Sequence, residues 1–109
     1  MVKTRQNALQ IVAEARKSLE QIYGKKLQGV YLYGSAARDQ MTADSDIDIA
    51  VILDKPADKF TEHKRTSKLG SDLSLVSDTL VTFLFISLTD FEKGRFAVHR
   101  AIKSEGIHA

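Results

Sequence analysis

Asp46 and Asp48 are the residues of this chain whose type and spacing could hold a divalent cation. They open the run Asp46 to Leu53, DIDIAVIL, which begins with alternation and continues as an unbroken apolar stretch. That is the pattern of a strand covered on both faces. Strand residues two apart point to the same face, roughly 6.5 to 7 Å apart at Cα. Both carboxylates can therefore reach one cation or a close pair, and carboxylate oxygens suit Mg2+, whose shell water and substrate phosphates usually complete. Acid is also concentrated here: six of the 14 acidic residues, Asp39, Asp44, Asp46, Asp48, Asp54 and Asp58, fall in a 20-residue stretch whose single base is Lys55. The plainer alternative is that Asp46 caps the strand start and Asp48 lies at a solvated sheet edge.

Gly34-Ser35 is the second group with chemical potential. It follows an aromatic and β-branched run, and Ser35 is a plausible N-cap for a short helix through Ala36, Ala37 and Arg38. A residue without Cβ lets a phosphate approach the backbone, and a helix start presents free N–H groups to it. Ser35 could bond a phosphate oxygen and Arg38 could add a charged fork. Taken alone, the segment also fits a plain turn with a serine cap. Together with the carboxylate pair, it supplies what a metal-dependent nucleotide site needs.

The elements that must position these residues follow from periodicity. Ala8, Ile11, Val12, Ala15, Leu19, Ile22 and Tyr23 recur at helical spacing and stop at Gly24, which predicts an amphipathic helix. Leu27 to Tyr33 predicts a buried strand, and Thr79 to Ile86 another. Between the second and third strands, Asp58 to Ser77 reads as a partly mobile helix anchored by Phe60, Leu69, Leu73 and Val76 and interrupted near Gly70. A last helical region, capped by Ser87 or Thr89, carries Phe91, Val98, Ala101 and Ile102 on one stripe and stops at Gly106. The order gives a small α/β (α+β-like) fold with a three-stranded central mixed sheet flanked by helices.

With 109 residues the expectation is one domain, and 43% apolar with 28% charged residues excludes a disordered chain. A net charge of +2 does not by itself indicate nucleic acid or a membrane surface. The absence of Cys removes disulfides and thiolate chemistry, and neither a signal-peptide stretch nor a membrane span is seen, so a cytoplasmic protein is expected. Asp44, Asp46 and Asp48 imitate a calcium loop, but Ile49 and Lys55 stand where that loop needs Gly and Glu. No P-loop or dinucleotide motif occurs. His63, His99 and His108 are far apart and read as surface residues, and Lys64, Arg65 and Lys68 read as a solvated basic face.

Gly34-Ser35, ten intervening residues and Asp46-Ile47-Asp48 resemble the GS-x(n)-DxD signature of the polymerase-beta-like nucleotidyltransferases. Tyr33-Gly34-Ser35-Ala36-Ala37-Arg38 and Asp44-Ser45-Asp46-Ile47-Asp48 are similar to the YGSxAR and SDID segments of the small stand-alone branch, the minimal nucleotidyltransferases (MNT). The likeness runs from Leu27 to about Ile107, so it implies a single domain over 1–109 with an N-terminal helix at 1–25 and a nucleotidyltransferase core at 27–107. It implies that Gly34, Ser35 and Arg38 hold an NTP, most naturally ATP, and that Asp46 and Asp48 are catalytic and ligate Mg2+. The implied reaction puts a nucleoside monophosphate on an acceptor hydroxyl. The implied partner is a helical HEPN protein, toward which such a chain acts as antitoxin; the chain could also form an oligomer. Two positions depart from the family. Asp39 stands where Gly is common, and the third carboxylate position falls near Thr82, which cannot serve as general base or strong metal ligand. Asp78 shares its strand parity but is four residues, roughly 13 Å, away. The alternative reading is thus a catalytically impaired nucleotide-binding module that neutralises or regulates a helical partner by contact.

Overall fold

Thr4 starts the first helix by accepting the Asn7 amide on its hydroxyl (3.1 Å), satisfying one of the donors that a helix start leaves open. The computed structural model, which describes residues 4–42 and 44–109, has this helix, α1, over Arg5–Tyr23. Ala8, Ile11, Val12, Ala15, Leu19 and Tyr23 are buried along it; Ile22, expected on the same stripe, stays exposed. Gly24 ends it at φ 55°, and a 3-10 turn over Gly24–Lys26 leads into β1, Leu27–Tyr33. There follow β2 (Ile47–Leu53), α2 (Lys59–Ser77), β3 (Val81–Ser87), α3 (Leu88–Lys93), α4 (Ala97–Glu105) and β4 (Ile107–His108).

The sheet order is β3-β2-β1-β4, with β2 and β3 parallel and the other two pairs antiparallel. It is the expected mixed sheet, but with four strands instead of three. Ile107–His108 is too short to carry a period in sequence, yet it pairs with Leu32 and Tyr31. The central strand β2 is covered on both sides, as its apolar run predicts. Ile47, Ile49, Val51 and Leu53 pack with α1 and Leu73 of α2, whereas Ala50 and Ile52 pack with Ile86, Phe91 and Ile102. Each such aliphatic side chain contributes about 1.5–3 kcal/mol by leaving water, so β2 is the element most firmly held in place.

α2 runs unbroken through Gly70, contrary to the expected interruption, with Phe83 packed beside the missing Cβ. Its inner face is also not the apolar one expected: Phe60 and Val76 are each 78% exposed, and Glu62, Thr66, Leu73 and Ser77 are buried. The reason is a fully buried carboxylate that has enough donors. Glu62 accepts from Tyr23 Oη (2.9 Å), the Ala57 amide (2.8 Å) and Arg65 Nη1 (3.2 Å), which ties the end of α1 to the start of α2. Two members of the expected basic face are thereby paired on their own helix, Arg65 with Glu62 and Lys68 with Asp72.

Gly94, at φ 62°, divides the last helical region into α3 and α4. Ser87 caps α3 by accepting the Asp90 amide (3.1 Å). Because the turn at Gly94 changes the helical phase, a single stripe does not span both helices. Phe91 and Ile102 are buried, Val98 and Ala101 are exposed, and His99, expected at the surface, takes an inner position instead. No helix among the described residues is long and apolar enough to cross a membrane.

The Glu62 network yields a stability prediction. Tyr23→Phe removes one donor from a buried carboxylate, which should lower the unfolding free energy by roughly 1–3 kcal/mol. Urea denaturation measures this, and an unchanged midpoint would mean that the bond contributes nothing.

Candidate active site

β1 delivers the chain to Gly34, whose φ of 75° is a conformation that L side chains rarely adopt. Beyond it the backbone folds on itself: the Arg38 amide donates to Gly34 O (3.3 Å), Asp39 to Ala36 O (3.2 Å) and Gln40 to Ser35 O (2.8 Å). The helix expected after Ser35 is therefore a run of turns, with Ala36 and Ala37 buried beneath it. Asp39 closes the run at φ 58°, a left-handed position that Gly takes freely and Asp tolerates. Just before Asp46, Ser45 Oγ accepts the Thr42 amide (2.9 Å). Asp46 lies just before β2 and is exposed.

Asp48 is half-buried and sits in register between Tyr33 on β1 and Thr82 on β3. Thr82 Oγ1 donates to Asp48 Oδ1 (2.9 Å). Asp48 Oδ2 lies against Gly34, where a Cβ would come within 2.6 Å of it. The strand register thus joins the two motif halves, and the glycine is required by the carboxylate as well as by its own φ. Burial raises the Asp48 pKa above the ordinary carboxylate value; the Thr82 bond opposes the rise and the neighbouring Asp46 charge adds to it. Burial and the Asp48 charge together push the Tyr33 hydroxyl up to about 12, so it stays neutral at physiological pH.

Arg38 is exposed; its Nε donates to Gln40 Oε1 (3.1 Å) and its Nη1 lies 3.5 Å from Glu105 Oε2 at the end of α4. An exposed pair at that distance contributes about 0–1 kcal/mol, so the guanidinium can exchange Glu105 for a phosphate at little cost. Sequence reasoning overlooked the positions of Tyr33 and Glu105. Tyr33 immediately precedes Gly34 and could have been placed opposite Asp48 from the strand register; nothing local to Glu105 points to Arg38. Among the described residues no group of three or more His, Asp or Glu could hold a metal ion. A cation here would rest on two carboxylates with water and substrate oxygens completing its shell, a donor set that fits Mg2+.

Residues 12–105 match the nucleotidyltransferase domain family. A Methanocaldococcus jannaschii protein that carries the name of a protein adenylyltransferase, MJ0141, is 34% identical over 74 residues, covering 68% of this chain and 74% of that protein. A toxin-antitoxin structure with AMP-PNP superimposes with a TM-score of 0.63 at 24% identity, over 87% of this chain and 69% of the other. A structure of a tri-AMPylated Shewanella oneidensis HEPN toxin in complex with MNT antitoxin gives a TM-score of 0.58 at 22% identity, over 93% and 70%. At these identities the two structural likenesses speak for the fold.

Two expectations follow from the geometry. Gly34→Ala must force a left-handed alanine against Asp48 Oδ2, which should cost roughly 1–3 kcal/mol of stability in urea denaturation. For Asp48, a folded-state pKa raised above the unfolded value means that folding disfavours the ionised form. The penalty is present above the folded pKa and vanishes below the unfolded one. In metal-free buffer at neutral pH, Asp48→Asn should therefore melt higher than wild type, with the gap closing as pH falls through the carboxylate range. A gap that widens on acidification would contradict the assignment.

Proposed function

Because the chain belongs to the nucleotidyltransferase domain family, we propose that this site moves AMP from ATP to a hydroxyl on a partner protein, with Mg2+ held by Asp46 and Asp48. The observation that carries the reading is the contact between Gly34 and the Asp48 carboxylate, which brings the glycine-serine motif against one acid of the Asp46/Asp48 pair. Gly34 and Ser35 would receive the triphosphate along the turn, and Arg38 would leave Glu105 to bind one of its oxygens. The acceptor oxygen bonds to the α-phosphorus as the bond to the β-phosphate oxygen breaks. Pyrophosphate departs, and the hydroxyl proton passes to a carboxylate or to solvent. Bound Mg2+ would offset charge on the triphosphate and the leaving group. The name of the M. jannaschii relative supports a protein acceptor, and the MNT antitoxin structure supports a helical HEPN protein as that partner. The expected setting is the cytoplasm, where ATP is abundant.

A second reading has one observation in its favour: residue 82 is a threonine, without the carboxylate that would activate an acceptor. On that reading the chain binds nucleotide and regulates its partner by contact. ATP labelled on its α-phosphate, with Mg2+ and lysate of the source cells, separates the two. Wild type should label an acceptor, and Asp46→Asn/Asp48→Asn should reduce labelling by roughly 100-fold or more while circular dichroism stays unchanged. Equal labelling by both proteins would refute the transferase assignment, whereas label seen only with Thr82→Asp would favour the binding module.

A further inference from the structure

The hydroxyl of Thr82 stands where a third carboxylate would be expected, and it is committed to a particular bond. β3 is pinned at its start: the Val81 amide donates to Ser74 Oγ (3.0 Å), and the Ile47 amide donates to Leu80 O (2.9 Å). Parallel register then puts Thr82 directly beside Asp48, one strand spacing or roughly 4.8 Å away. Its branched Cβ restricts the hydroxyl to few directions, and in the one observed it donates to Asp48 Oδ1 at 2.9 Å. The other oxygen, Oδ2, faces Gly34 and accepts no hydrogen bond from the described residues.

We propose that Thr82 is a positioning residue of a one-cation centre: its hydroxyl takes Asp48 Oδ1 and leaves Oδ2, on the Gly34 side, for a single divalent cation shared with Asp46. The inference rests on the reading of Asp46 and Asp48 as cation ligands. Charge arithmetic supports one ion. A carboxylate at 82 would put a third negative charge beside a half-buried Asp48 and call for a second cation to offset it. Threonine brings a donor and no charge, so in the nucleotide-free chain the two carboxylates balance one divalent ion. Residues that orient a ligand in this manner typically change metal affinity by 10- to 100-fold when removed.

Mn2+ binding to the full chain, followed by the electron paramagnetic resonance of the free ion, tests this without reference to turnover. Wild type should hold one Mn2+ per chain. Thr82→Val, which keeps the branched shape and loses the hydroxyl, should bind it about tenfold or more weakly, with Thr82→Ser close to wild type. Thermal melts of the three proteins verify that each is folded. A Thr82→Val protein with wild-type affinity, a Thr82→Ser protein as weak as the valine variant, or two tight Mn2+ ions in wild type would overturn the proposal. Failure of the underlying reading looks different: Asp46→Asn/Asp48→Asn would bind Mn2+ as wild type does, or wild type would bind none.

Discussion

The pairing register on the two sides of β2 is the constraint on which the remaining structure depends. β2 runs antiparallel to β1 and parallel to β3, and in that register Asp48 has Tyr33 on one side and Thr82 on the other. A slip by one residue would turn Asp48 to the opposite face and drive Ile47 and Ile49 out of their packing against α1. Five consecutive buried residues, Ile49 to Leu53, resist such a slip, and Ile49, Val51, Ile52 and Leu53 each contribute on the order of 1.5–3 kcal/mol. That sum far exceeds the cost of a single half-buried carboxylate at the head of the strand. The core therefore supplies the excess stability that lets Asp48 remain in an unfavourable electrostatic position.

Around that fixed carboxylate the surroundings are graded in rigidity. Tyr33 and Thr82 belong to the sheet and move only with it. Gly34 and the turns to Gln40 are held by local backbone bonds, and Arg38 is the loosest member, joined to Glu105 by an exposed pair. A nucleotide would meet a rigid floor and an adjustable side chain, which suits a ligand whose phosphates must be gripped and then released. The nucleotidyltransferase domain match over residues 12–105 takes in β1, β2 and β3 with the helices from the later part of α1 to the end of α4.

Much of this was legible in the sequence for identifiable reasons. The run DIDIAVIL declares a strand buried on both faces, and alternation alone puts Asp46 and Asp48 on one side of it. The resemblance pointed to a position near Thr82 for a third acid, and the parallel register sets Thr82 beside Asp48. What escaped prediction depends on partners distant in sequence. Glu62 is buried because Tyr23, 39 residues away, reaches it, so an anchor list limited to apolar residues selected Phe60 and Val76 in error. β4 is two residues long and exists only because β1 offers it an edge. The helix drawn after Ser35 failed because local composition does not reveal that Asp39 will turn left-handed.

The close fit of Gly34 to Asp48 also imposes an order on how such chains change over generations. With the acid in place, any side chain at position 34 collides with its oxygen. Once the acid is lost, that collision goes and only the backbone preference for glycine remains. Tolerance for a side chain at 34 would therefore follow a shortening of residue 48 rather than precede it. Among homologous chains, acid retained with glycine replaced should be the rarest combination of the two positions.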